Sequence, residues 1–577
     1  MATAEVFRRE IRSELLRQEM FSDMDVLALL SQARVHEAVA RLVFFSSPAD
    51  LCPCLETVCG RIRLDFEAED KGAQASAIRF LADLALALRS SLPRWNLQDA
   101  ERHGQQILAD AQVAAEADRA HALAVELAGR APAVAEVLLA EWRAETAARL
   151  HAERVDDAQG QAAALVGDSI GEYVTNLSTE LARSHLRRVT AACLAGRTPT
   201  EFSNDYAAFL QYAMYLGASF VTCNPVLVDL AWTADHERWD PVVDRIITEY
   251  PEADGDALAR LVTLEIVLAN MRLLRPIFLL TTGQTGYVCF QVNPRKHGDA
   301  AAMLSEAQTN YSELRNRLGG DVPNVVFKLP GTKAGLQACR ALTEQGIGVT
   351  ITVNFALFQH LPFAEVIQEG QALLSALAHM SGRLAYPVRD ELLAKLPELA
   401  ASGLVEARLR EAAAWSGIAV LKRLQRLLVE RGYDLARLKP LIASLRIYEG
   451  ENYRHLPSSF LDITEALGTG ILSVFPNVRR AFDALPQLEL DPQRIDRPVP
   501  DEILDILAHS ELFRQAYYVG DRNWLSEGDE RFRPSHELTL DDEQAVADWL
   551  PVHATLAEFC KVYDTFVQRI LARRERA

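Results

Sequence analysis

The chain has 577 residues, of which 49% are hydrophobic and 24% charged, the balance of an ordinary globular protein with room for two or more domains. A formal charge of −19 argues against a broad nucleic-acid or anionic-membrane footprint, while leaving room for a local basic pocket. No stretch reaches the ~20 apolar residues of a membrane span, and the N-terminus, MATAEVFRREIRSELLRQEMF, lacks the apolar core of a secretory signal.

Residues 1–160 predict an all-helical domain. They are rich in Ala, Leu, Arg and Glu, with apolar positions recurring at helical spacing, as from Ile107 to Ala111, with Val113 beyond, and again from Leu138 to Trp142, with Val137 before. Breaks are expected near Ser46-Ser47-Pro48, Cys52-Pro53 and Leu92-Pro93. No residue here forms a catalytic constellation, so packing, contact with a protein partner or self-association is the expected role. Cys52, Cys54 and Cys59 are the only cluster among eight cysteines, and no second Cys/His pair at zinc spacing follows. Reduced thiols of a cytoplasmic protein are therefore expected rather than a metal site.

From about residue 165 short apolar runs alternate with helical stretches, which implies parallel strands covered by helices. The units suffice for a closed α/β structure, a (β/α)8 TIM barrel over 161–577. Strands are expected at 219–225, 286–293, 323–329, 347–354, near 376–382, at 438–445 and at 470–475. The first strand lies either near Ser169 to Leu177 or near Phe202 to Tyr206. Helical insertions are expected at 226–285 and 384–437, and a Pro- and Asp-rich surface segment at 484–540. An amphipathic helix, Leu556 to Arg573, ends the chain.

Within PNVVFKLPGTKAGL, Pro323 to Leu336, Lys328 is the only charge inside an apolar run closed by Pro330 and Gly331, and Thr332 can cap the helix that follows. A lysine inside a buried strand is costly unless paired or neutral. Burial also lowers a lysine pKa, which makes an amine able to form a Schiff base with a carbonyl. The alternative is a lysine at a strand end with its ammonium in solvent.

This stretch, with VTCNP (Val221 to Pro225), GYVCFQVNPRKHGDA (Gly286 to Ala300), GIGVTITVNFALFQ (Gly346 to Gln359), ASLR (Ala443 to Arg446) and SVFP (Ser473 to Pro476), resembles the transaldolase family in order and spacing. The resemblance covers roughly residues 165 to 575 and stops short of the helical N-terminal segment. It implies that Lys328 is the Schiff-base nucleophile, Asn224 holds sugar hydroxyls, Thr352 orders the catalytic water, and Arg383, Ser444 and Arg446 bind a phosphate. It implies a family acid/base aspartate on the first strand, for which Asp205 and Glu172 are the candidates. Sugar phosphates are the implied substrates, and no metal or organic cofactor is needed, because the lysine serves as electron sink.

Four positions depart from the pattern. Gln291 stands where most transaldolases carry glutamate, as it does in fructose-6-phosphate aldolases; an amide can position a water but cannot exchange a proton at neutral pH. Thr350 stands where asparagine is usual, Ala378 where a serine helps bind substrate, and Phe355 where the aldolase subgroup has a catalytic tyrosine. These changes leave three expectations: transfer of a dihydroxyacetone unit, a specialised aldolase or transaldolase of an unusual sugar, or a barrel that has lost catalysis and serves assembly.

Overall fold

The computed structural model describes residues 4–520 and 529–576. Residues 521–528 of the expected 484–540 surface segment lie outside this set. Eight parallel strands close on themselves: β1 Glu201–Asn204, β2 Phe220–Val221, β3 Tyr287–Gln291, β4 Val325–Pro330, β5 Val349–Asn354, β6 Ser375–Met380, β7 Leu438–Ala443 and β8 Ile471–Val474, with β8 pairing β1. Covered by helices outside and packed against one another inside, the strands are buried on both faces, so most of them read as largely apolar runs.

β2 is much shorter than the run FVTCNP suggests. The Asn224 carboxamide accepts the Leu227 N–H at 3.1 Å and Pro225 takes the first helical position, so the helix Pro225–Ala234 starts where a strand was expected. The ambiguity over the first strand resolves to the later segment. Ser169 caps the helix Ile170–Arg183, whose buried residues Ile170, Tyr173, Val174, Leu177 and Leu181 follow helical spacing. The strand-like look of DSIGEYVTNL came from its β-branched and aromatic residues, and tertiary packing on one stripe overrides that propensity.

Helices alone, from Ala4–Glu19 to His185–Leu194, precede β1 among the described residues, so the helical run continues past residue 160. These helices and the barrel share one hydrophobic core. The first helix covers the end of the barrel where strands begin. Phe7 lies against Gly346, Ile11 against Gly283, and the Glu14 carboxylate takes the Arg275 guanidinium in a buried bidentate pair. Farther on, buried Glu153 receives Arg479 and Arg149, and the Tyr212 ring lies between those two guanidiniums at 4.6 and 3.9 Å. Both contacts join helical segment to barrel through charged groups that find partners on burial.

The insertions are helical as expected. Pro225–Ala234, His236–Glu249 and Gly255–Leu280 connect β2 to β3, while Ser381–Ala394 and Glu406–Glu430 lie between β6 and β7. The last helix, Leu550–Arg574, crosses the end of the barrel where strands finish. Among the described residues, no helix is long and apolar enough to cross a membrane.

Candidate active site

A narrow cavity opens at the C-terminal ends of β3, β4 and β5. Gln291, Asn293, His297, Lys328 and Thr352 line it, and Phe559 of the last helix closes one side. Strand register puts the polar groups there. Gln291 pairs with Lys328 across β3 and β4, Lys328 pairs with Thr350 across β4 and β5, and Pro330 pairs with Thr352. In parallel strands such partners point to one face, so Gln291, Lys328 and Thr350 share the barrel interior, with Thr352 one layer nearer the mouth.

Lys328 is only 5% exposed. Its charge acts on Asp205 and Cys223, which lie just past β1 and β2, and on Cys289 of β3. Asp205 directly follows β1, and its N–H donates to the Val474 carbonyl at 3.1 Å, which fixes it beside β8. Thr222 Oγ1 donates to Asp205 Oδ1 at 2.6 Å, and the Ser473 hydroxyl lies 2.6 Å from that of Thr222. Burial lifts the Asp205 carboxyl above the ordinary range, against the pull of Lys328, Thr222 and Arg383. A carboxyl raised this way can hold or release a proton nearer neutrality than a free aspartate.

Gln291 Oε1 is buried and has no hydrogen-bond partner among the described residues. A buried amide oxygen left open at a cavity is costly and marks a place where a ligand or water belongs. Thr352 is buried at the cavity wall, its hydroxyl 3.6 Å from the Met380 sulfur. Thr350 lies deeper, fully buried, with Cys289 Sγ at 3.5 Å. Asn224 spends its oxygen on the helix cap described above.

The backbone is strained around this mouth. Val353, on β5, and Ser444, just past β7, both have positive φ, 52° and 59°. A β-branched residue there costs of order 1–3 kcal/mol and persists only where the surroundings force it. Gln359 does the forcing at β5: its Nε2 donates to the Gly331 and Val353 carbonyls, and its Oε1 accepts the Phe355 N–H. The Phe355 ring is fully buried with its centroid 6.1 Å from that of Trp549, so it brings no hydroxyl to the cavity.

Arg383, Ser444 and Arg446 meet at the ends of β6 and β7. Gly382 N–H donates to the Ser444 carbonyl at 3.2 Å, and a side chain at Gly382 would strike Arg446 Cγ at 2.6 Å, so the two turns touch. Buried Asp462 ties them, accepting Ser381 Oγ at 2.7 Å and the Arg446 N–H at 2.8 Å. The Nε atoms of Arg383 and Arg446 are buried without partners among the described residues.

One sequence candidate falls outside the site. Glu172 sits exposed on the helix Ile170–Arg183, where its Oε2 accepts the Asp168 N–H at 2.7 Å. It is a helix-terminal residue of the N-terminal segment, not a strand residue, because Ile170 and its helical neighbours claim that stretch for packing. Sequence reasoning missed Thr222, Ser473 and Asp462, whose partners are too distant in the chain for a local motif, and Gln359, which serves the turn after β5. It also missed Glu306, which accepts the Asn293 N–H and whose carboxyl burial pushes up to about 7.

Residues 204–433 match the family model described as transaldolase/fructose-6-phosphate aldolase. The chain is 32% identical over 143 residues to a transaldolase of Thiobacillus denitrificans, a match covering 25% of this chain and 37% of that protein. It is 29% identical over 161 residues to a transaldolase of Mycobacterium ulcerans, covering 28% and 40%. It is 36% identical over 117 residues to transaldolase 2 of Streptomyces avermitilis, covering 19% and 30%. The matches thus span less than half of each relative's length. The matched span takes in Asp205, Gln291, Lys328, Thr352 and Arg383. Over residues 204–433 of this barrel the chain is similar to the transaldolase/fructose-6-phosphate aldolase family.

Proposed function

We propose that this protein is a Schiff-base enzyme that moves a three-carbon dihydroxyacetone unit between sugar phosphates in the cytoplasm. The observation that carries the reading is Lys328, buried in the barrel with Gln291 in register beside it and Asp205 facing it. The neutral Lys328 amine attacks the C2 carbonyl of a ketose, and the carbonyl oxygen leaves as water to give an iminium. The C3–C4 bond then breaks, its electron pair flows to the iminium nitrogen, and Asp205 takes the C4 hydroxyl proton as the aldehyde leaves. The enamine that remains on Lys328 attacks an acceptor aldehyde, Asp205 returns the proton to the new alkoxide, and water hydrolyses the imine. The lysine itself supplies the electron sink.

Thr352 and Gln291 would hold the water of imine formation and hydrolysis, with Thr350 beneath them. Asn224 would face the sugar hydroxyls with its remaining amide N–H groups, and Arg383, Ser444 and Arg446 would receive the phosphate. Eight unbridged cysteines support a reducing compartment.

Gln291 favours a second reading. With an amide in place of a carboxylate, the enamine can be protonated and hydrolysed, which is aldol cleavage releasing dihydroxyacetone. An assay with fructose 6-phosphate separates the outcomes. Transfer requires an added aldehyde acceptor and yields a new ketose phosphate; cleavage releases free dihydroxyacetone without one. Absence of either reaction, across a panel of ketose phosphates, would sink both readings and favour an assembly role for the barrel.

A further inference from the structure

The last helix puts an acid where the proposed phosphate would bind. Arg383 Nη1 and Nη2 donate to Glu558 Oε2 and Oε1 at 2.7 and 2.8 Å. This two-pronged geometry is the one a guanidinium offers to a phosphate. The next residue, Phe559, lies under the Arg383 guanidinium at 5.5 Å and forms the wall of the Lys328 cavity. The charge of Arg446 also acts on Glu558, so the carboxylate sits in the field of both arginines. Glu558 leaves the buried Nε donors of Arg383 and Arg446 unused. A phosphate monoester, with more acceptor oxygens and about −1.5 to −2 charge, is better matched to that donor set than one carboxylate.

The helix carrying Glu558 is firmly held. Arg569 pairs with Asp229 at 2.6 Å, Arg573 with Asp244 at 2.5 Å, and Tyr563, Phe566 and Ile570 are buried. The Glu558 side chain itself is 49% exposed, so it can rotate into solvent while the helix stays in place. Were it to remain beside a bound phosphate, like charges would meet at contact distance, which is unfavourable.

We propose that Glu558 is an internal competitor for the substrate phosphate: a phosphorylated ketose binds by displacing this carboxylate from Arg383, and Glu558 thereby sets how strongly the site prefers phosphorylated over unphosphorylated sugars. This rests on the sugar-phosphate reading above and adds a specificity-determining residue that the barrel strands do not contain. The exchange is side-chain rotation only; no bond forms or breaks.

The test is inorganic phosphate binding by titration calorimetry to the full chain and its Glu558→Gln and Glu558→Ala variants. Both variants are expected to bind phosphate about tenfold tighter, with a matching fall in KM for fructose 6-phosphate. A control, Asp564→Asn, removes a nearby negative charge that pairs with Arg295 instead. Unchanged or weaker phosphate binding in both Glu558 variants, or equal tightening in the Asp564 variant, overturns the proposal. Borohydride trapping of dihydroxyacetone, which has no phosphate, on the wild-type protein tests the Schiff-base reading separately from the phosphate measurement.

Discussion

Two lysines lie inside this barrel, and the difference between them separates structure from chemistry. Lys439, 7% exposed, sits at the beginning of β7, where strands start; its Nζ donates to Glu201 and to the Gln284 carbonyl at 3.0 Å. Glu201 in turn accepts the hydroxyls of Ser219 and Thr285, so the pair has its donors and acceptors matched. Lys328 sits toward the opposite end on β4, and none of the described residues hydrogen-bonds to or ion-pairs with its amine. The carboxylate it faces, Asp205, is engaged by Thr222 instead. A buried pair satisfied on every side holds a fold in one arrangement, whereas a buried amine and carboxyl held apart stay available to a substrate.

Substitutions can break this contrast, and the expected effects fall in order. Lys328→Met removes the nucleophile and should reduce turnover to background, while thermal unfolding stays cooperative. Asp205→Asn should lower kcat by roughly 10²–10⁴-fold yet still allow imine formation, as read by stopped-flow kinetics alongside trapping. Lys439→Met should do the reverse. Leaving Glu201 buried without its partner costs about 3–5 kcal/mol in urea unfolding, and Lys328 should remain reactive in the protein that stays folded. If Lys439→Met abolished reactivity without loss of stability, the division between the two ends of the barrel would fail.

The smallest effect sharpens the site end. Burial pushes the Asp462 carboxyl up to about 6, so between about pH 4 and 6 the folded protein holds a proton there that the unfolded chain has lost. The folded pKa is raised, and this group therefore withdraws stability as pH rises through that window. Asp462→Asn should flatten the slope, seen by comparing urea unfolding of the two proteins at pH 4.5 and 6.5. A slope equal to that of the wild type would mean that Asp462 ionises freely.

The barrel was legible because most of its strands are largely apolar and buried on both faces, and runs such as NVVFKLP and GVTITVN have few other homes. β1 was not, because Ser203 and Asn204 turn polar side chains into a buried network, which erases the apolar signature over four residues. β2 was overextended because the local capping signal of Asn224 and Pro225 competes with an apolar run. The lysine, the glutamine and the two arginines could be placed by motif order alone. Glu558 could not, since its partner Arg383 is 175 residues away and only the path of the last helix brings them together. Glu172 misled because a carboxylate three residues after a candidate strand start looks the same, in one dimension, whether it faces a cavity or caps a helix.

The most direct measurement is peptide mapping of the protein reduced with borohydride in the presence of dihydroxyacetone. The expected result is a single modified lysine, Lys328, with Lys439 untouched. Modification of Lys439, an adduct spread over exposed lysines, or no adduct at all would contradict the placing of a reactive amine at the mouth of this barrel.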